Sequence, residues 1–114
     1  MIELETFNKH MKRVLLLAGQ NPPKEQMMAI YEAIQHYELE DFLKAVSDDQ
    51  LIEEWSIRVN YPSLKRVIEK HMIDRLEREE RERKKREKDL LEEAIKNDSL
   101  PEFVRDFLRK IKTL

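Results

Sequence analysis

Cysteine is absent from this sequence. That excludes a disulfide framework and a thiolate metal site, and it suits a reducing compartment such as the cytoplasm. Glycine occurs once, at Gly19, which leaves little material for the glycine-dependent turns of β-hairpins. Long apolar runs are also missing: none exceeds five residues, the length of Val14 to Ala18, against the roughly 20 a membrane-spanning helix needs. The opening Met1-Ile2-Glu3-Leu4-Glu5 lacks the basic region that begins a signal peptide. No glycine-rich phosphate loop is present, so a P-loop nucleotide hydrolase is not expected.

Recognisable catalytic patterns are lacking as well. His10, His36 and His71 fall on three different predicted helices, and none follows a glutamate by three residues. The Glu-x-x-His signature of di-iron bundles is therefore missing, and the histidines read as surface or core-edge residues. Asp48/Asp49 and Glu53/Glu54 are neighbouring carboxylates, which diverge around a helix; capping and solvation account for them better than acid–base chemistry. No serine has the context of an activated nucleophile. The sequence reads as non-enzymatic, with no catalytic, cofactor-binding or metal-binding residue assigned.

What the sequence has in abundance is charge, at 40% of residues. It is unevenly placed. Residues 1–61 carry 6 Lys/Arg against 11 Asp/Glu, and residues 62–114 carry 16 against 13. Thirteen consecutive residues, Glu77 to Asp89, are charged, seven basic and six acidic. Glu77/Arg81, Glu79/Arg83, Glu80/Lys84 and Glu82/Arg86 all place acid before base at i, i+4, the favourable order on a helix. The densest basic patch, Arg83-Lys84-Lys85-Arg86, has glutamates on both sides and no interleaved aromatics. It reads as one turn of a charge-paired helix, and direct contact with nucleic acid is not expected.

The rest of the chain is patterned for helices. Leu4, Phe7, Met11, Val14, Leu15 and Ala18 share one helical face, with Gly19 placed to close it in a left-handed cap. Asn21-Pro22-Pro23 predicts a loop and a helix start, with Asn21 or a neighbour as the cap. Met27, Ile30, Tyr31 and Ile34 mark a second helix, and Leu39, Phe42, Leu43 and Val46 a short third. Ser47-Asp48-Asp49 offers a cap for a turn carrying Leu51, Ile52 and Trp55. Ile57 to Tyr61 predicts an extended connector. Pro62 restarts a helix whose stripe of Leu64, Val67, Ile68, His71 or Met72, and Leu76 ends at the charged run. Continued to Asn97, that helix would measure about 54 Å and reach well beyond a core built from the first 76 residues. Tyr31, Tyr37, Trp55 and Tyr61 are expected to fill and rim a small core.

Ser99 and Glu102 have capping-box spacing. A terminal helix then sets Leu100, Phe103, Val104, Phe107, Leu108, Ile111 and Leu114 on one side, with Arg105 and Arg109 among its polar residues. Such a stripe can fold back over Leu90, Leu91, Ala94 and Ile95, pair with a second copy, or enter a groove on another protein. The expected architecture is all-α: an N-terminal helical domain (1–76), a charged spacer helix (77–89) and a C-terminal amphipathic module (90–114).

In residues 4–76 the order of features resembles the small phage helicase-loader family. The likeness lies in the opening amphipathic helix (Phe7, Met11, Val14), the Asn21-Pro22-Pro23 loop, the helix with central Tyr31, Leu39-Glu40-Asp41-Phe42-Leu43-Lys44-Ala45-Val46, and Tyr61-Pro62-Ser63-Leu64-Lys65-Arg66-Val67-Ile68. Tyr31 stands where the family favours tryptophan, and Pro62-Ser63 where it favours two prolines. The resemblance implies a phage or prophage adaptor without ATPase activity. Such an adaptor binds a hexameric replicative helicase, restrains it and delivers it to an origin-binding protein, with the C-terminal region contacting the helicase. Here the partner-binding residues would be Leu100, Phe103, Val104, Phe107, Leu108 and Ile111, with Arg105 and Arg109 fixing orientation. The alternative is a homo-oligomeric structural or regulatory protein that uses the same stripe for self-association.

Overall fold

The computed structural model describes residues 1–96, together with Asp106, Phe107 and residues 109–111. The fold is all-α, with no strand among the described residues. Through residue 96 five helices follow in order: α1 (Leu4–Ala18), α2 (Lys24–Ile34), α3 (Leu39–Val46), α4 (Asp49–Ile57) and α5 (Tyr61–Lys96); residues 106–107 and 109–111 are helical as well. By internal packing the chain divides into two units, Met1–Leu76 and Glu77–Leu114.

The first unit is closed by the faces that apolar spacing marks out. Phe7, Met11, Val14 and Ala18 of α1 are buried. They pack in one core with Ile30, Ile34, Phe42, Leu51, Trp55, Leu64, Val67 and Ile68. Phe7 sits between two rings, 5.1 Å from Tyr31 and 6.0 Å from Phe42. Ile2 is also buried; its N–H donates to the Gln35 carbonyl at 2.9 Å, and its carbonyl accepts from the Tyr31 hydroxyl at 2.9 Å. Trp55 is fully buried, while Tyr31, Tyr37 and Tyr61 are half-buried at the rim.

The ends of these helices explain where the chain turns. Gly19 adopts φ 70°, a left-handed conformation that glycine reaches without a Cβ penalty. The Gly19 N–H donates to the Leu16 carbonyl and the Gln20 N–H to the Leu15 carbonyl, which is the Schellman arrangement. The Gln20 side chain then donates to the Ser56 carbonyl at 3.0 Å and ties the end of α1 to the end of α4. Asn21 does not cap α2. Pro23 occupies the N-cap position and makes no side-chain cap; two prolines hold Asn21 too far back to reach the first turn. At α4 the cap is Asp48, whose Oδ1 accepts from the Gln50 N–H at 2.9 Å. The extended connector shortens to residues 58–60, since Ile57 closes α4 and Tyr61 opens α5. Asn60 serves two helices: its Oδ1 accepts from the Ser63 N–H at 2.8 Å, and its carbonyl accepts from Trp55 Nε1 at 3.0 Å.

Three apolar expectations fail. Leu4 of α1 is 39% exposed, Leu39 of α3 43% and Leu76 of α5 49%. In place of the last two, the inward positions carry Asp41 and Ala45 on α3 and the half-buried Arg75 on α5. The inner face of α5 therefore continues past Ile68, but with polar rather than apolar contacts.

Candidate interaction surfaces

Three sets of side chains outside the apolar core have the placement to do something specific. The first lies where α5 meets α3 and the start of α4. Asp41 is fully buried, and Arg75 grips it through a fork: Nε donates to Oδ1 at 3.0 Å and Nη2 to Oδ2 at 3.0 Å. One helical turn earlier, His71 Nε2 lies 2.9 Å and Lys70 Nζ 3.0 Å from Asp48 Oδ2. Burial raises the Asp48 pKa, but the Gln50 N–H, Lys70 and His71 outweigh it and hold the carboxyl down at about 2. Tyr37 adds a further tie to α5, its hydroxyl donating to Glu69 Oε1 at 2.9 Å. Burial, and then the carboxylate of Glu69, push that phenol up to about 12, so it stays protonated as a donor. These contacts clamp α5 against the elements that supply Asp41, Asp48 and Tyr37.

The second set is the charged part of α5. Every residue from Glu77 to Leu91 is exposed. Arg83 donates to Glu80 Oε1 at 2.6 Å and to Glu87 Oε1 at 2.7 Å, and Lys84 lies 3.9 Å from Glu80. Arg83 holds the Glu80 carboxyl below its ordinary range. Of the four expected i, i+4 pairs, Glu80/Lys84 forms, while Glu77/Arg81 and Glu82/Arg86 do not. Arg83 pairs with Glu80 and Glu87 rather than with Glu79.

The third set is the C-terminal stripe. Of the residues assigned to partner binding, Phe107, Arg109 and Ile111 are described. All three are helical and exposed, with Phe107 at 62% and Ile111 at 51%. Phe107 and Ile111 are spaced i, i+4, which puts them on one face a turn apart. Leu100, Phe103, Val104, Arg105 and Leu108 lie outside the described residues. Leu90 and Leu91, which a folded-back terminal helix would cover, are exposed, whereas Ala94 and Ile95 are half-buried.

Two shallow recesses flank Tyr61. One, of about 350 Å³, is lined by Pro62, Lys65, Arg66 and Glu69; the other, of about 360 Å³, by Gln26, Ala29, Ile30, Ala33, Arg58 and Val59. Among the described residues no three His, Asp or Glu side chains gather as a metal site would require. The buried Asp41–Arg75 pair and the partners of Asp48 escape a reading of the sequence by apolar periodicity. Their signal is the spacing of Leu64, Ile68, His71 and Arg75 along one face. Compared with family models, curated proteins and solved structures, the chain matches none.

Proposed function

We propose that this chain is a non-enzymatic adaptor whose C-terminal helical face docks on a protein partner, a hexameric replicative helicase that it restrains and helps to load at an origin. The observation that carries the reading is the pair Phe107 and Ile111. An aromatic and a β-branched side chain a turn apart stand exposed beside Arg109 and Lys110. A helix that presents such anchors suits a hydrophobic groove on another protein. Aromatic residues supply much of the energy at such contacts, and flanking cations fix orientation and encounter rate. The first unit is compatible with the same reading, because its aromatics pack in or against the core, Asp48 caps α4 and Asp41 holds Arg75. The choice of a helicase rests on the resemblance of residues 4–76 to the phage loaders.

Co-purification of the full chain with a replicative helicase tests it. Phe107→Ala with Ile111→Ala should abolish capture while the far-UV circular dichroism stays unchanged. Unchanged capture would remove these residues from the interface. Light scattering over a concentration series separates the alternative. A dimer that the double substitution converts to monomer, with no helicase retained by either form, would favour self-association.

A further inference from the structure

Along α5, each residue advances about 100° around the axis. On that count Arg78, Arg81, Lys85 and Lys88 fall within an arc of roughly 80° and recur once per turn over about 15 Å. Arg83, Arg86, Glu79, Glu80 and Glu87 lie on the opposite side. The ion pairs of Arg83 sit away from the row: Glu80 and Glu87 are taken up by Arg83, with Lys84 as the flanking partner of Glu80. Arg81, Lys85 and Lys88 are exposed and form no ion pair among the described residues. Glu77 and Asp89 stand at the edges of the arc, and Asp74 and Glu92 beyond its ends. The patch that is continuous in sequence, residues 83–86, is thus split by the helix, and a different set of cations shares a face.

We propose that the Arg78–Arg81–Lys85–Lys88 face binds the phosphate backbone of nucleic acid without base selectivity. Protein interfaces draw their energy from buried aromatic and aliphatic anchors, and no apolar residue occurs between Glu77 and Asp89. The same lack leaves nothing to insert between lipid headgroups, as interfacial helices do. Phosphate binding needs only positioned cations, since its driving force is the release of counterions condensed on the polymer. Contacts to phosphate set register along a strand but do not read bases, and without an aromatic in this section there is no platform for stacking. The inference stands independently of the helicase reading, which concerns the terminal stripe.

The test is fluorescence anisotropy of a labelled oligothymidylate and a labelled duplex against the full chain, over a salt series. Binding at low salt is expected, with log K falling against log salt at a slope of roughly −2 to −3. Arg81→Gln with Lys85→Gln should make that slope shallower by about two. Arg83→Gln with Arg86→Gln removes the same charge from the opposite side and should leave the slope unchanged. NMR titration of the unmodified chain should place the largest shift changes at Arg78, Arg81, Lys85 and Lys88. The proposal is overturned by no binding at low salt, by equal losses in the two variants, by shift changes centred on Arg83 and Arg86, or by capture on phosphatidylserine vesicles in place of the oligonucleotides.

Discussion

In α5, Leu64, Val67 and Ile68 are fully buried, whereas every residue from Glu77 to Leu91 is exposed, although one unbroken helix carries both. The first stretch is helical because burial of its stripe offsets the ordering of the chain. The second has no such contribution and relies on residues that lose little side-chain freedom in a helix, chiefly Glu, Lys and Arg. Between them, Lys70, His71 and Arg75 form a third regime, in which polar side chains of α5 hold carboxylates supplied by α3 and the α4 cap. The same pair of charges means different things in the two regions. At Asp41–Arg75 it is removed from water, and at Glu80–Arg83 it is immersed in it.

The largest expected consequence of that difference is at Asp41. Asp41→Ala removes the buried carboxylate gripped by the Arg75 fork, Arg75 being itself only 14% exposed, and should lower the unfolding free energy by about 3 kcal/mol, read from denaturant midpoints. Asp41→Leu with Arg75→Met should recover most of it, because two apolar groups leave no unpaired charge. A loss from Asp41→Ala as small as that of a surface substitution would erase the contrast between the two pairs.

A smaller effect is expected at Asp48 under acid. Its carboxyl titrates at about 2 in the folded chain against an ordinary 3.8. A depressed carboxylate contributes its full stabilisation above the ordinary value and loses it as pH falls through the folded value. Stability should therefore decline between about pH 4 and pH 2, by at most about 2 kcal/mol, less where solvent screens Lys70. Asp48→Asn should flatten thermal-melting curves across that window. An unchanged pH profile would show that other carboxylates dominate.

The smallest effect belongs to Arg83→Ala. Its partners Glu80 and Glu87 are in open solvent, so the denaturation midpoint should not move measurably. Any loss of helicity by circular dichroism should vanish with added salt.

Much of this fold can be read from residue order. The bounds of α1 follow from its apolar spacing and from Gly19, because a lone glycine after a periodic run has one economical use. The α4 start follows from Asp48, one of three adjacent candidates. What periodicity misses is the inward charge. Counting only apolar residues puts Leu39 and Leu76 inside, yet the face of α3 is set by Asp41, Phe42, Ala45 and Val46, and that of α5 turns to Arg75. A first-turn aspartate looks like a solvated end of a helix, and nothing local in the sequence announces an arginine 34 positions later in the chain as its partner. The candidate surfaces divide the same way. The terminal stripe is visible as spacing, whereas the cationic face needs the helix to sort Arg81, Lys85 and Lys88 from Arg83, which Glu80 and Glu87 occupy.

The continuity of α5 also bears on how its exposed turns come to exist. Starting a helix in water is unfavourable, because several residues must be fixed before the first hydrogen bond forms, while lengthening one adds a bond for each residue ordered. Packing of Leu64, Val67 and Ile68 supplies a ready nucleus. The charged turns then need only propagate from it, and their persistence fades with distance along the backbone. Whatever loosens those three side chains reaches the cationic face through the hydrogen-bond ladder of α5.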